Sequence, residues 1–213
     1  GILGADGVLG YSMLPVDAAI VVDDGDPGFS LVGAAWTLRN VATPQLPQLT
    51  LDKAYGGDFY EVAGGGAGSK KARWTFDGLT PGRYQIALTW PTGTGGGQQQ
   101  AGYTIYDGAA TAGGAQALSN VVALGNLSQS SAPNDFAAGG RNWELLETVT
   151  VTGSTLSVEL DDRGGSGSNR IVADALRMQQ IQGDHGADDD FRLAAGSPGV
   201  DRGDPASAYN REP

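Results

Sequence analysis

Residues 72–90 read ARWTFDGLTPGRYQIALTW, and this stretch decides the fold class. Ala72, Trp74 and Phe76 alternate with Arg73 and Thr75, so an extended strand here has one apolar and one polar side. Thr80-Pro81-Gly82-Arg83 is a turn with proline preset for its second position. Tyr84, Ile86, Leu88 and Trp90 then share the apolar side of a second strand, which Pro91 ends. Trp74, Tyr84 and Trp90 are therefore expected in a core.

The same pattern extends in both directions. Upstream, Ala18–Val22 reads as a short buried strand stopped by Asp23-Asp24-Gly25-Asp26-Pro27-Gly28. Ser30–Arg39 reads as a second strand around Trp36, and residues 40–53, with two prolines, as an inserted loop. Downstream, a glycine-rich loop over 92–100 precedes a strand at Tyr103–Tyr106, and Leu118–Leu124 is another. Residues 125–142 form a long polar loop. Trp143–Val151 and Ser154–Leu160 then read as a hairpin around Thr152-Gly153, with Leu156, Val158 and Leu160 on one side. Asp161–Asn169 is a Gly/Ser loop. In Arg170–Gln180 a helix competes, but the β-branched start and the position opposite the first strand favour a strand.

About ten short strands at a spacing of 8–12 residues, with no amphipathic helix, describe a β-sandwich or barrel. The expected division is an N-terminal extension over 1–17, a sandwich over 18–182 and an acidic, turn-rich C-terminal extension over 183–213. A length of 213 residues fits one domain plus extensions. Gly supplies 35 residues and Pro 10, which suits a chain of many turns, and 4 Trp, 7 Tyr and 5 Phe suffice for a packed interior. The chain opens on Gly1 rather than Met, with no leader pattern, and is read as a piece of a longer protein.

Composition also excludes chemistry. Without a single Cys there is no thiolate metal site, redox pair or Cys nucleophile. A formal net charge of −11 argues against nucleic acid and anionic membranes, both of which need a basic surface. No apolar run reaches the roughly 20 residues of a membrane span. The one histidine, His185, lies in Gly183-Asp184-His185-Gly186 and cannot serve as the base of a hydrolytic triad. Glu144, Glu147, Glu159, Asp161 and Asp162 are the candidates for a glycosidase carboxylate pair, but a strand Glu with an outward-facing neighbour is usually just part of a polar face. No catalytic residue is expected. The Gly64–Gly68 run before Lys70-Lys71 lacks both the spacing and the helix of a phosphate loop.

Acid clusters have a more sensible use. Asp23, Asp24 and Asp26 gather at one turn, and Asp161 and Asp162 at another. All five are candidate ligands for a structural calcium, a hard cation that takes oxygen donors. No other cofactor is expected. For ligand contacts the candidates are Tyr55, Tyr60 and Tyr106, which are loop-adjacent or lie opposite their apolar neighbours. Arg202-Gly203-Asp204 and the Asn126-Leu127-Ser128 acceptor triplet are short enough to arise by chance.

The motifs in order resemble the golvesin/xanthan-lyase carbohydrate-binding-like domain, a jelly-roll (galactose-binding-like) β-sandwich. They are Val21-Val22-Asp23-Asp24 with Gly28-Phe29-Ser30, Tyr55-Gly56-Gly57-Asp58-Phe59-Tyr60, Ala72–Phe76, Leu79–Tyr84, Trp90-Pro91 and Ala101–Ile105. Trp143 and the closing Ile171-Val172-Ala173-Asp174-Ala175-Leu176-Arg177 complete the series, which covers roughly residues 19–181. The resemblance implies a non-catalytic module of a large secreted or cell-surface bacterial protein. It would bind extracellular polysaccharide or polymer, or act as a spacer between neighbouring domains of the same protein; a hydrolase or lyase is the remote third reading. It also implies that Asp23 and Asp174 accept backbone or Arg hydrogen bonds where the first and last strands meet. The tail, Asp190–Pro198 with Asp201–Pro205, resembles the last rungs of bacterial parallel β-helix surface proteins.

Overall fold

The computed structural model describes residues 19–40, 42, 53–92, 100–110, 120–164 and 167–181. Both expected extensions, most of the 40–53 loop and His185 lie outside them. The described residues are strands joined by turns, with no α-helix. In chain order the strands begin with β1 (Ile20–Val22), β2 (Phe29–Val32), β3 (Thr37–Arg39), β4 (Phe59–Ala63), β5 (Lys71–Asp77) and β6 (Gly82–Leu88). They continue with β7 (Gln100–Asp107), β8 (Val121–Ser128), β9 (Phe136–Ala138), β10 (Arg141–Val151), β11 (Thr155–Asp161), β12 (Arg170–Ala173) and β13 (Leu176–Gln180).

Two five-stranded sheets form a jelly-roll β-sandwich, one in the order β1-β13-β6-β10-β9 and the other β2-β5-β11-β7-β8. A smaller sheet, β12-β4-β3, joins them, and every pairing is antiparallel. Period-2 alternation does what it should. Ala72, Trp74 and Phe76 of β5 and Leu156, Val158 and Leu160 of β11 face Tyr84, Ile86 and Leu88 of β6 and Leu176 and Met178 of β13 in one buried core. Trp90 is buried there too, its Nε1 donating to the Ser131 carbonyl at 3.0 Å.

Several boundaries differ from the sequence reading. The expected strand over 30–39 breaks in two, because the chain turns at Gly33 and Ala35, both with positive φ (80° and 75°). β2 then joins one sheet and β3 another. The expected hairpin of 143–160 is instead an arch. β10 pairs with β6 and β9, whereas β11 pairs with β5 and β7, so the 152–154 turn carries the chain from sheet to sheet. Both strands point apolar residues at the same core from opposite sides, a pattern that alternation alone cannot tell from a hairpin. Asp107 holds the arch by accepting from Thr152 N at 3.1 Å and from its hydroxyl at 2.5 Å. Arg170–Gln180 likewise splits into β12 and β13 around Asp174, in different sheets. The polar loop expected over 125–142 holds the end of β8, all of β9 and the first residues of β10.

One polar side chain completes a sheet edge. Gln129 is fully buried; its Nε2 donates to Val172 O at 2.7 Å, and its Oε1 accepts from Val172 N at 2.9 Å. The amide thus stands in for one residue of a neighbouring strand beside β12. Replacing it with leucine strands both backbone groups in an apolar interior, where each unsatisfied group costs about 1–3 kcal/mol. Gln129→Leu should therefore lose roughly 2–4 kcal/mol in urea unfolding, and an unchanged unfolding midpoint would refute the strand-surrogate role.

Candidate functional site

The side of β5, β11 and β7 that faces away from the core is polar in register. One row across the sheet runs Ser30, Arg73, Glu159, Thr104 and Leu124; the next runs Val32, Lys71, Asp161, Gly102 and Asn126. Glu159 is the hub and is 1% exposed. Its Oε1 accepts from Arg73 Nε at 3.0 Å and Nη2 at 2.6 Å; its Oε2 accepts from Lys71 Nζ at 2.7 Å and the Tyr106 hydroxyl at 3.0 Å. Burial opposes ionisation of Glu159, but the bonds from Lys71 and Arg73 outweigh it and hold the carboxyl below its ordinary value. The same burial, next to this carboxylate, pushes the Tyr106 hydroxyl up to about 12. Tyr106 stays protonated and donates.

Beside the hub, Asp161 accepts from Arg163 at the backbone N (3.0 Å) and at Nε (2.9 Å), with Nη2 at 2.7 Å. Gly102 makes room for this pair: a Cβ there would lie 2.6 Å from Asp161 Oδ1. Above this floor lies an open cleft of about 200 Å³ lined by Lys71, Thr104, Tyr106, Leu124, Asp161 and Arg163. Its polar groups are held before any ligand arrives, which limits the ordering cost of binding.

A second group forms where β1 ends. Asp23, Asp24 and Asp58 each bring a carboxylate oxygen within 4.8 Å of the others. Asp24 is only 6% exposed, and its Oδ2 is buried without a hydrogen-bond partner. Burial, and then the neighbouring acids, push Asp24 up to about 7; burial and the same neighbours carry Asp23 to about 6, against the Asp24 N–H that lowers it. An orphaned buried carboxylate oxygen among like charges fits a hard cation. Nearby Asp174 is completely buried and accepts from Tyr55 N with both oxygens at 3.1 Å. Asp23 accepts from Asp24 N at 3.0 Å. Asp174 thus accepts a backbone hydrogen bond from a residue distant in sequence, whereas the bond at Asp23 comes from the next residue along the chain.

The structure redistributes the candidates chosen from sequence. Asp26 stands outside the acid group and caps the turn, accepting from Asp23 N at 2.9 Å. Asp161 and Asp162 each lie beside a cation of their own, and Asp162 Oδ2, like Asp24 Oδ2, is buried without a hydrogen-bond partner. Asp161 is paired with Arg163, while Asp162 accepts from Gly68 N at 2.9 Å and lies 3.4 Å from Lys70 Nζ. The three tyrosines form no common platform. Tyr60 stacks on Phe29 at 5.8 Å at the rim of the core, and Tyr55 packs on Trp143 at 6.0 Å beyond the other sheet. Tyr106 lines the cleft but is 5% exposed rather than open, because its hydroxyl is drawn into Glu159. Sequence reasoning missed Asp58, Lys71, Arg73 and Arg163. The alternating charges of 71–73 were the available signal for Lys71 and Arg73.

No family model matches the chain, and no curated protein does. Among solved structures the chain is similar to a Paenibacillus xanthan lyase, at 23% identity and a TM-score of 0.52. That likeness shows the fold. The match covers 77% of this chain but only 13% of the lyase. The chain is also similar to a family 35 carbohydrate binding module from Clostridium thermocellum (12% identity, TM-score 0.45, 75% of this chain and 98% of that one). The K1 cleaved adhesin domain of Lys-gingipain from Porphyromonas gingivalis matches at 14% identity and a TM-score of 0.40, over 77% and 99% of the two chains.

The acid group makes stability depend on pH. Asp23 and Asp24 titrate in the folded chain near 6 and 7, above their ordinary 3.8, so the folded state binds more protons across that interval. With chelator present, stability should fall as pH rises from about 5 to about 7. Asp58→Asn removes one of the repelling charges and should make the fall shallower. Thermal melts at stepped pH check this; a midpoint that climbs over the interval would contradict it.

Proposed function

We propose that the chain is a non-catalytic module of a large secreted or cell-surface bacterial protein, and that it binds carbohydrate or another extracellular polymer in the cleft above Glu159. The observation that carries this reading is the buried, fully bonded polar floor on a sheet face that points away from the core. A face made only to meet solvent needs no such network. Sugar-binding surfaces combine fixed hydrogen-bonding groups with an apolar wall, and here Thr104, Arg163 and Lys71 would supply the first and Leu124, 66% exposed, the second. The motif series shared with golvesin/xanthan-lyase carbohydrate-binding-like domains agrees with it, and a neighbouring β-helix would suit the tail's resemblance. Hydrolysis fits poorly, because a glycosidase acid needs a raised pKa and Glu159 is held low.

A spacer or assembly role is the second reading, favoured by Val122 and Leu124, which expose apolar side chains on edge strand β8. A glycan array and affinity electrophoresis separate the two. Leu124→Glu should weaken polysaccharide retention roughly tenfold without changing the melting midpoint. Retention of the variant equal to that of the unaltered chain would remove the cleft as the site.

The acid group at Asp23, Asp24 and Asp58 would hold a divalent cation, calcium by the hardness of its oxygen donors. Bound there, the ion would neutralise the mutual repulsion and tie the turn after β1 to the loop before β4. Millimolar calcium at pH 8 should raise the melting midpoint of the chain by several degrees, and Asp58→Asn should abolish the gain. Equal midpoints in calcium and in chelator would count against the ion.

A further inference from the structure

Building on the glycan-binding reading, we propose that the cleft above Glu159 selects an acidic polysaccharide, one whose sugar units carry a carboxylate or sulfate that Arg163 and Lys71 receive.

The charges of the cleft are layered. Its carboxylates lie at the bottom, Glu159 at 1% and Asp161 at 2% exposure. The cations stand above them, with side-chain exposure of 53% for Arg163, 30% for Lys71 and 14% for Arg73. The cleft itself is lined by two cations, Lys71 and Arg163, and one carboxylate, Asp161, which leaves a positive excess there in a chain whose net charge is −11. This local sign is the reverse of the molecule's.

Hydrogen-bonding capacity points the same way. A neutral sugar hydroxyl both donates and accepts, so a site for neutral glycan offers acceptors as well as donors. Here all four floor oxygens are engaged: both of Glu159 by Arg73, Lys71 and Tyr106, and both of Asp161 by Arg163. Tyr106 spends its proton on Glu159. What faces the cleft is mainly donors. The Lys71 ammonium has two further protons beyond the one given to Glu159. Arg163 gives its Nε and Nη2 edge to Asp161, so the end of the fork that carries Nη1 is left for a ligand. Cationic donors with few acceptors match an oxyanion. The exposed Leu124 beside them offers the ring of an acidic sugar an apolar wall.

Affinity electrophoresis of the full chain in gels containing polygalacturonate, its methyl ester, dextran sulfate or dextran tests the proposal. Polygalacturonate or dextran sulfate should retard the chain at least tenfold more strongly than the methyl ester and dextran. The preference should fade between 50 and 500 mM salt, and which anionic gel retards more tells carboxylate from sulfate. Lys71→Gln leaves Glu159 held by Arg73 and Tyr106, so it should fold and lose most of the preference; Arg163→Gln should do the same. Equal retardation by the ester and the free acid, or a preference that survives in both variants, would overturn the proposal. Retention on neutral gels alone would overturn acid selection while leaving glycan binding intact. Retention on none of these polymers would overturn both.

Discussion

Two sheets that each carry one apolar side must bury those sides against each other, and Trp74 sits where they meet. Its ring is completely buried with Phe29 at 5.4 Å, and its Nε1 donates to the carbonyl of Asp174 at 3.3 Å. That single bond ties the centre of one sheet to the residue between β12 and β13, the junction between the small sheet and the other large one. The buried Asp174 carboxylate then holds Tyr55, which opens the loop that carries Asp58 to Asp23 and Asp24. Packing at the core thus sets the position of charges at the rim.

On the far side of the same strands a different force keeps order. Glu159 is removed from water almost completely, which is tolerable only because two cations and a tyrosine hydroxyl replace its hydration. Removing any one partner leaves the others to carry a buried charge, so the network behaves as a unit. Rigidity of this kind contributes little to stability compared with an apolar equivalent. Its value lies in fixing where Lys71 and Tyr106 stand along the cleft.

Alternation made the two-faced strands legible, and with them the placing of Trp74, Tyr84 and Trp90 in the core. It could not reveal neighbours, because period 2 says which way a side chain points and nothing about which strand lies alongside. The 143–160 arch, with the profile of a hairpin, shows the limit. Lys71, Arg73 and Glu159 become one network only once β5 and β11 are known to lie side by side, some 86 residues apart in sequence for Arg73 and Glu159. Asp58 escaped notice for the same reason. It is a lone acid in a glycine turn, and only the course of β4 makes it a neighbour of Asp23.

The pairing of β1 with β13 joins Ile20 to Met178, almost the full length of the described chain. A ribosome adding about 5–20 residues each second needs on the order of 10 s to supply that partner. Throughout that interval the Ile20–Val22 segment is an apolar strand without its mate, and no local hairpin can shelter it. Assembly of this domain is consequently late and non-local, governed by the arrival of its last strands. During synthesis the nascent chain exposes a sticky edge, so factors that shield such edges would bear on its yield more than on its final stability.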